Sequence, residues 1–379
     1  MRIREAAPSP TTSRSMRIAY LINSVEGGGA AFPVPAVATA LQKHGAKVQI
    51  FALTRRDGRA LPAMQNAGLK VTVRDGGERD HWSAYRWLSS VLAQYRPDVI
   101  WTSLTRATLL GQLVARAQNV PVVSWQHAAY LRPANRRLLR LRRDRSAIWL
   151  ADSQSVADFS REALGLPSGK LVVWPIFAAD PDAPVASAWK TGDRLRIAAL
   201  GRLHPVKGYD VLLDALRSVQ QRNRPHSPFE LTIGGIGAEY EHLSEQIRRS
   251  GFDHVFLAGF IDDPVQFLAR QHLYIQPSRS EGFCIAAHQA MQAGLPVIGS
   301  SVGEMAYSIL DGVTGWLTVA GDPRSLADAI SLCLENAADL NAMGVAARTR
   351  LLERFSQVRF NETAGEILQR LDGLCQSRR

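Results

Sequence analysis

The amino-acid sequence predicts an α/β protein of two successive doubly wound, Rossmann-like domains. From Met16 onward, short β-branched apolar segments alternate with longer segments of helical periodicity, a pattern typical of a parallel sheet covered by helices on both faces. The alternation stops once, in a stretch of prolines and small residues, and then restarts. A chain of 379 residues is also long enough for two domains of about 150 to 200 residues each.

The first domain is predicted over residues 16–178. Its opening strand, Arg17–Asn23, is followed by the glycine turn Gly27-Gly28-Gly29 and by a helix that runs to about His44. The remaining strands are short apolar runs bounded by turn residues: Lys47–Leu53, Leu69–Val73, Asp98–Thr102, Pro121–Trp125 and Ala147–Ala151. Residues 1–15 contain no hydrophobic core, so we expect a disordered leader there rather than a secretory signal.

The break in the alternation, at Ala178–Asp193, has no periodicity, and we interpret residues 179–193 as an interdomain linker. The second domain is predicted over residues 194–356, with a helix at Asp210–Arg222. Its strands are expected at Leu195–Leu200, Phe229–Ile233, Val255–Ala258, Leu273–Gln276 and Pro296–Gly299. Residues 357–379 carry a final helix that either caps the second domain or crosses back to the first. Ligands of doubly wound domains bind beyond the carboxyl ends of the strands, so we expect the site in the cleft between the domains.

Composition is that of a globular protein, with 46% apolar and 21% charged residues. No apolar run approaches the roughly 18 residues of a membrane-spanning helix. The three cysteines, Cys284, Cys333 and Cys375, are too few and too scattered for a disulfide framework or a zinc site. A reducing cytoplasm is therefore the expected location.

The net charge of +11 is concentrated in Arg132–Arg145, which carries seven arginines together with Leu138, Leu139 and Leu141. A helix here would be basic with an apolar strip. It is either a solvated helix face or a peripheral contact with an anionic membrane or an acidic acceptor. Nucleic acid is disfavoured, because the stretch lacks interleaved aromatic residues and no recognised nucleic-acid-binding motif is present.

Two loops that follow strands in the second domain suit an anionic ligand. In Gly201–Gly208, Arg202 and Lys207 lie five residues apart across a turn. Both cations can therefore converge on one diphosphate, unless they are simply surface charges. The next such loop contains Gly234, Gly235 and Gly237. These glycines would either let backbone amides approach a phosphate or sugar, or form a plain tight turn.

A third loop, Pro277–Phe283, precedes a helix predicted over Cys284–Ala293. Glu281 is expected at the N-terminus of this helix, where it either binds a ligand or caps the helix. Nearby backbone amides are placed for a phosphate or hydroxyl group; they belong to Gly282, Phe283 and Cys284. Gln289 lies eight residues beyond Glu281, two turns along roughly the same helix face. There it can hydrogen-bond a ribose diol.

Five sequence blocks follow one another between Gly201 and Gly315. They are Gly-Arg-Leu-x-x-x-Lys-Gly from Gly201, Gly-Gly-x-Gly from Gly234, Pro-Ser-x-x-Glu-Gly-Phe from Pro277, Ala-Gly-x-Pro-Val from Ala293 and Asp-Gly-x-Thr-Gly from Asp311. In this order and spacing, over about 115 residues, they resemble the retaining glycosyltransferases of family four, which have the GT-B fold. The first half resembles the family more loosely, in the glycine turn Gly27–Gly29 and in His127.

The resemblance implies an enzyme that transfers a sugar from a UDP- or GDP-linked donor to a saccharide or lipid-linked acceptor with retention of configuration. The second domain would bind the donor and the first the acceptor. Arg202 and Lys207 would bind the diphosphate, and Glu281 the sugar hydroxyls. Neither a metal nor another cofactor is implied. The resemblance also implies attack on the face that the leaving group vacates, so no protein nucleophile is needed, and stabilising the departing diphosphate supplies most of the catalysis.

Three further contacts are implied by the same resemblance. His127 would touch the donor sugar or the reaction centre, and Gln289 would lie at the ribose. The base would be held by backbone groups and shape near Phe260 and Ile261. The identity of the sugar, the base, the acceptor and the linkage is left open.

Two positions depart from the family pattern. Gln289 stands where a second glutamate is usual, and Tyr307 occupies the usual acidic position of a later segment. Glutamine keeps a hydrogen-bond acceptor but loses the charge. Either change could alter the donor, and together they leave open a protein that binds a nucleotide sugar without turning it over.

Other functions fit the residues less well. Asp180-Pro181-Asp182 has the spacing of a metal-binding carboxylate pair but lies in the linker, so a flexible acidic loop is the better interpretation. A dinucleotide-dependent oxidoreductase would need an acidic residue where the second strand ends in Arg55-Arg56, and a different glycine spacing at Gly27. A sugar-nucleotide epimerase on the same architecture remains an alternative.

Overall fold

The computed structural model describes residues 15–222 and 227–376. Within these ranges the strands form two parallel sheets, one of seven strands and one of six, in succession along the chain. The predicted α/β class with two doubly wound sheets is therefore confirmed. The predicted leader lies, except for Ser15, outside the described residues.

The inner strands of the first sheet are largely buried, as parallel strands covered on both faces require, whereas its two edge strands are mostly only partly buried. The strands are β1 Arg17–Ser24, β2 Lys47–Thr54, β3 Lys70–Val73, β4 Val99–Ser103, β5 Val122–Gln126, β6 Ile148–Ala151 and β7 Leu171–Val173. The helices of this half are α1 Val34–Lys43, α2 Leu61–Asn66, α3 His81–Tyr95, α4 Thr105–Gln118, α5 Pro133–Leu141 and α6 Gln154–Leu164.

The second sheet repeats the pattern. Its strands are β8 Leu195–Leu200, β9 Phe229–Gly234, β10 Val255–Gly259, β11 Leu273–Gln276, β12 Val297–Ser300 and β13 Gly315–Thr318. The helices of this part of the chain are α7 Tyr209–Gln221, α8 Tyr240–Ser250, α9 Pro264–Leu268, α10 Ile285–Gln292, α11 Met305–Ser308, α12 Pro323–Glu335, α13 Leu340–Arg354 and α14 Gln357–Gln376.

Strand order determines where each sheet can bind a ligand. The first sheet has the order β3-β2-β1-β4-β5-β6-β7 and the second the order β10-β9-β8-β11-β12-β13. The order therefore reverses between β1 and β4 and between β8 and β11. At such a point the connections leave the sheet in opposite directions, which opens a crevice beyond the carboxyl ends of the strands.

The final helix, α14, crosses back to the first half of the chain. His44, at the end of α1, donates from Nε2 to the carbonyl of Asn361 at 2.8 Å. A Cβ on Gly365 would lie 2.8 Å from the His44 ring, so only glycine allows this approach. The Phe360 ring packs on Trp174 with 5.1 Å between centroids. Of the two positions left open by the sequence, the helix therefore takes the one that joins the two halves.

The segment 179–193 is held against the second half rather than hanging free. The backbone amide of Ala186 donates to Ala293 at 2.8 Å, and that of Trp189 donates to the Asn341 side chain at 2.9 Å. The Trp189 side chain is itself buried. Over residues 15–222 and 227–376, no helix combines the length and the apolarity that a membrane span requires.

Candidate active site

Strands β8 and β11 separate at their carboxyl ends, at the point where the second sheet reverses its order. Their ladder ends with the pair Tyr274 and Ala198. Beyond it the Tyr274 hydroxyl fills the gap, accepting from the amide of Leu200 and lying within hydrogen-bond distance of its carbonyl, both at 3.1 Å. The loops that follow β8 and β11 carry Gly201 and Glu281, respectively. The predicted ligand loops therefore meet at the crevice.

Lys207 and Glu281 form a buried ion pair across this crevice. Lys207 Nζ donates to Glu281 Oε1 at 2.6 Å, and only 18% and 10% of the two side chains are exposed. Burial alone would lower the pKa of Lys207, but the Glu281 carboxylate more than compensates, so the pKa lies above its ordinary value. Lys207 is thus fully charged. The sequence predicts two cations that converge on one anion; in this structure one of them is paired with Glu281.

Arg202, the second predicted cation, is exposed. It lies close enough for its charge to act against that of Lys207. Among residues 15–222 and 227–376, no ion pair involves Arg202. Of the two predicted cations, Lys207 is therefore paired, and Arg202 has no ion-pair partner within these ranges.

The helix after Glu281 begins later than predicted. It starts at Ile285, and Cys284 precedes it with a left-handed backbone (φ 64°). Glu281 therefore lies outside the helix and does not cap it, and Gln289 lies one turn beyond Ile285 rather than two turns beyond Glu281. The helix predicted over Cys284–Ala293 is therefore present to within one residue at each end. The placement of Glu281 and Gln289 two turns apart along one helix face is wrong, because the left-handed Cys284 separates Glu281 from the helix. Gln289 is half-buried.

Three residues expected to offer amides to a ligand are packed against protein. Cys284 is buried, and burial raises the pKa of its thiol. The Phe283 ring stacks on His288 at 4.0 Å and lies in the core. A Cβ on Gly282 would lie 2.1 Å from the carbonyl oxygen of His127. Glycine is required at 282 because the two halves touch there.

Close packing also explains why glycines follow β9. A Cβ on Gly235 would lie 1.8 Å from the carbonyl of Gly201, and one on Gly237 would lie 2.1 Å from that of Leu203. A Cβ on Gly234 would lie 2.6 Å from the Ile261 side chain. These glycines let the loop lie directly on the Arg202 loop. Their role in this structure is therefore to support the Arg202 loop.

His127 follows β5 and lies at the contact between the halves. Its Nδ1 donates to the Asp152 carboxylate at 2.9 and 3.0 Å, so its Nε2 accepts from Ser103 Oγ at 2.6 Å. The ring stacks on Trp125, with 5.4 Å between centroids. Burial raises the pKa of Asp152, and the neighbouring His127 offsets part of this rise. His127 is thus held in one orientation by three neighbours.

Asp152 is a site residue that the motifs did not single out. It lies in Ala151-Asp152-Ser153 and directly follows β6, as His127 directly follows β5, and β5 and β6 are neighbours in the sheet. Two polar residues that directly follow adjacent parallel strands are expected to meet. The sequence therefore contained a signal for this pair, a polar residue directly after each of two neighbouring strands.

The glycine turn Gly27–Gly29 faces the second half. A Cβ added to Gly29 would have Ile285 as its nearest neighbour, at 3.9 Å, and the amide of Gly27 donates to Asp57 at 2.9 Å. Beside the turn, the Arg59 guanidinium lies 4.2 Å over the ring of Phe260, the residue expected near the base. A Cβ on Gly28 would have no neighbour within 4 Å. The turn therefore borders open space in the cleft.

The remaining predicted positions have simpler surroundings. Asp180 accepts from the backbone amide of Asp182 at 2.9 Å, a local turn. Within the described ranges, no group of three or more histidine, cysteine or acidic side chains is placed to hold a metal ion. Tyr307 is exposed, while the neighbouring Glu304 is buried and paired with Arg354 at 2.6 Å. Ile261 is partly buried against the core.

His288, behind Phe283, should make folding stability depend on pH. Its Nδ1 donates to the Cys284 carbonyl at 2.9 Å and its Nε2 accepts from Ser308 at 2.8 Å. Burial lowers its pKa from 6.5 to about 4. Its contribution to stability is therefore complete above pH 6.5 and is lost as the pH falls toward 4. Lowering the pH from 7 to 5 should therefore reduce the free energy of unfolding by about 2 kcal/mol through His288. Denaturant titration at the two pH values measures this loss.

The control is His288→Gln, which keeps one donor and one acceptor but cannot be protonated in this range. The variant should lose about 2 kcal/mol less than wild type between the two pH values. The pKa of His272 is also lowered to about 4, by burial and by Arg196, but it titrates in both proteins and cancels. The same loss in both proteins would contradict the assignment.

Comparison with known protein families gives two matches that together cover most of the chain. Residues 186–350 match the family model of glycosyl transferases group 1, and residues 27–177 match that of Glycosyltransferase Family 4. The first contains the Arg202, Lys207 and Glu281 loops, and the second contains His127.

Individual proteins agree with these matches. The chain is 28% identical to phosphatidyl-myo-inositol mannosyltransferase of Mycobacterium leprae, over 86% of this chain and 89% of that protein. It is 31% identical to the amylovoran biosynthesis glycosyltransferase AmsK of Erwinia amylovora, over 47% of this chain and 45% of that protein. For several curated relatives, including AmsK, the chain spans less than half of their length.

Among solved structures, HepE of Anabaena in complex with UDP-glucose is similar, with a TM-score of 0.81 at 21% identity. The superposition covers 93% of this chain and 99% of HepE. At this identity the likeness concerns the fold.

Proposed function

Because the chain belongs to the group 1 glycosyltransferases and has their two-sheet fold, we propose that it transfers a sugar from a nucleoside-diphosphate sugar to a hydroxyl acceptor, with retention of configuration. The donor is UDP- or GDP-linked, and the acceptor is a growing saccharide or a lipid-linked glycan. The observation that carries the proposal is the buried Lys207–Glu281 pair at the crevice between β8 and β11, with the exposed cation Arg202 beside it.

The diphosphate leaves with growing negative charge, which these groups can neutralise. Lys207 is already charged and oriented by Glu281, and Arg202 adds a second cation whose planar guanidinium suits phosphate oxygens. Preorganised cations in a water-poor crevice stabilise the transition state more than the ground state. Glu281 accepts from the sugar hydroxyls through its second oxygen. The attacking hydroxyl arrives from the side that the diphosphate leaves.

The other predicted contacts complete the site. Gln289, half-buried on α10, lies at the ribose, and Phe260 with Ile261 borders the base. His127, held by Asp152 and Ser103 next to Gly282, contributes from the acceptor half. No metal or other cofactor takes part in the proposed reaction.

The experiment is a thermal-shift screen against UDP, GDP, ADP and their sugar conjugates without added metal, followed by donor turnover and NMR of the product anomer. A rise of several degrees for one nucleotide family supports the donor site and identifies the base. An α-linked product from an α-linked donor supports retention. Nucleotide-sugar binding with neither hydrolysis nor transfer would indicate a non-catalytic binding protein. Conversion of the donor into another nucleotide sugar without an acceptor would indicate an epimerase. Either outcome refutes the proposed transferase.

The acceptor half also presents a basic and apolar surface, which supports a membrane-borne acceptor. On α5, Leu138 and Leu141 are 46% and 82% exposed, and Tyr130 just before it is 62% exposed. Arg137 and Arg140 are exposed beside them, and no acidic residue occurs from 130 to 143. Such a face combines insertion of apolar side chains with attraction to anionic lipids. The relative from Mycobacterium leprae is named for a phosphatidylinositol substrate.

We expect Arg137→Gln combined with Arg140→Gln to weaken binding to phosphatidylglycerol-containing vesicles at least tenfold in a sedimentation assay, because each arginine at an anionic surface contributes about 1 kcal/mol. Arg248→Gln with Arg249→Gln, which removes two highly exposed arginines from α8, is the matched control and should bind as wild type does. Equal binding by all three proteins would exclude α5 as the contact.

A further inference from the structure

A chain of buried polar side chains runs through the second sheet to Glu281. Tyr274 and Gln276 lie two residues apart on β11, and Ser278 follows two residues later; none of the three is exposed. The distances are 2.6 Å from Tyr274 to Gln276, 2.8 Å from Gln276 to Ser278 and 2.6 Å from Ser278 to Glu281. Buried polar groups inside a parallel sheet are costly unless each is hydrogen-bonded. Each side chain in this hydrogen-bonded series has a partner.

The direction of the hydrogen bonds follows from its starting point. The amide of Leu200 can only donate, and the Tyr274 oxygen accepts from it. The phenol proton then goes to the nearest acceptor, Gln276 Oε1. Since the glutamine oxygen accepts, its nitrogen donates onward to Ser278 Oγ. The Ser278 proton is therefore available for Glu281 Oε1.

Glu281 Oε1 thus receives two donors, the Ser278 hydroxyl and the Lys207 ammonium, both at 2.6 Å. A carboxylate oxygen that accepts two hydrogen bonds is fixed in position. Neither of these two hydrogen bonds uses the other oxygen, Oε2, to which the proposed function assigns a sugar hydroxyl. The starting point, Leu200, directly precedes Gly201 and Arg202, so the chain also connects Glu281 to the loop that carries the second cation.

We infer that Gln276 is a positioning residue for Glu281, acting through Ser278 and supported by Tyr274. The inference rests on the proposed role of Glu281 at the donor sugar. Gln276 touches no substrate. It sets which Glu281 oxygen is engaged and where the carboxylate lies relative to Arg202.

Two variants of Gln276 test whether these hydrogen bonds matter and whether they run in the direction described. Gln276→Met keeps the volume and removes both hydrogen bonds. Gln276→Glu keeps the size but offers only acceptors, so it takes the Ser278 proton away from Glu281. We expect each to lower kcat for donor turnover at least tenfold. Affinity for the free nucleoside diphosphate, measured by calorimetry, should stay within twofold, because both variants leave the hydrogen bond from Lys207 to Glu281 Oε1 in place.

The matched control is Gln112→Met. Gln112 is an equally buried glutamine of the first half whose side chain donates to Ser146 at 2.9 Å and to the Arg142 carbonyl at 3.3 Å and accepts from Arg142 Nε at 3.1 Å. Its replacement therefore removes buried hydrogen bonds away from the crevice. It should keep wild-type kcat. Should Gln276→Met fail to fold by circular dichroism, Ser278→Ala cuts the same chain one step nearer Glu281.

The readouts separate this inference from the proposed function. Wild-type protein without donor turnover would refute the proposed function itself. With an active wild type, kcat within twofold in Gln276→Met and Ser278→Ala would overturn the positioning role. So would a loss no larger than that of Gln112→Met, or a nucleotide affinity that falls together with kcat.

Discussion

Replacing either member of the Lys207–Glu281 pair lowers donor turnover at least tenfold, equivalent to about 1.4 kcal/mol in the barrier. Lys207→Ala removes the cation that is already oriented toward the leaving group, and Glu281→Ala removes both its partner and the proposed acceptor for the sugar hydroxyls. The measurement is kcat with a saturating donor, accompanied by circular dichroism and thermal unfolding. Wild-type rates in both variants would mean that the reaction occurs elsewhere.

Loss of folding must be separated from loss of chemistry, because breaking a buried ion pair typically costs about 3–5 kcal/mol by leaving one charge unpaired. The double variant Lys207→Ala with Glu281→Ala leaves no unpaired charge. It should therefore be more stable than either single variant and yet remain inactive. The exposed pair Lys170–Asp144, at 3.0 Å with 37% and 69% of its side chains exposed, provides the control: Lys170→Ala should change neither stability nor rate measurably.

The doubly wound fold could be predicted because its signals are local. A buried parallel strand is a short apolar run, and the predicted strands agree with β1 to within one residue and with β11 at both ends. Two strands were missed, β7 and β13, which have three and four residues. Length alone does not explain this, since β11 also has four residues; β11 is an inner strand and fully buried, whereas β7 and β13 are edge strands and only partly buried. They form because a neighbouring strand already offers them a hydrogen-bonding edge.

The site could be predicted as a set of loops but not as a set of contacts. Arg202, Lys207 and Glu281 are expected in ligand-facing loops because each follows a strand. That Lys207 binds Glu281 depends on β8 and β11 being neighbours, whereas 72 residues separate the end of β8 from the start of β11. Sequence spacing gives no distance across such a separation.

The glycines illustrate the same limit. The sequence assigns the backbone amide of Gly282 to a ligand because it lies near the expected N-terminus of a helix. In the structure the approaching group is the carbonyl of His127, which belongs to the other half of the molecule. A sequence motif shows that something comes near the backbone. It does not show whether that group is substrate or protein.

The second large effect is expected for Gly282→Ala. The added methyl group would lie 2.1 Å from the carbonyl oxygen of His127, so the two halves must move apart by roughly 1 Å, a displacement that can cost about 100-fold in rate. Because the contact lies between the halves and not within either, the free energy of unfolding of the variant should lie within about 1 kcal/mol of the wild-type value. It should also still bind the free nucleoside diphosphate, which the second half holds alone.

Gly235→Ala is the informative comparison, because its Cβ would lie 1.8 Å from the carbonyl of Gly201 within the same half, at φ 151°. No separation of the halves relieves that clash, so the variant should lose stability and nucleotide binding together. If Gly282→Ala also lost nucleotide binding, its amide would belong to the donor site, as the sequence suggests, and the contact with His127 would be secondary. If it turned over donor at the wild-type rate, the close contact of His127 with Gly282 would not be needed for transfer, and His127 would lose its place in the proposed reaction.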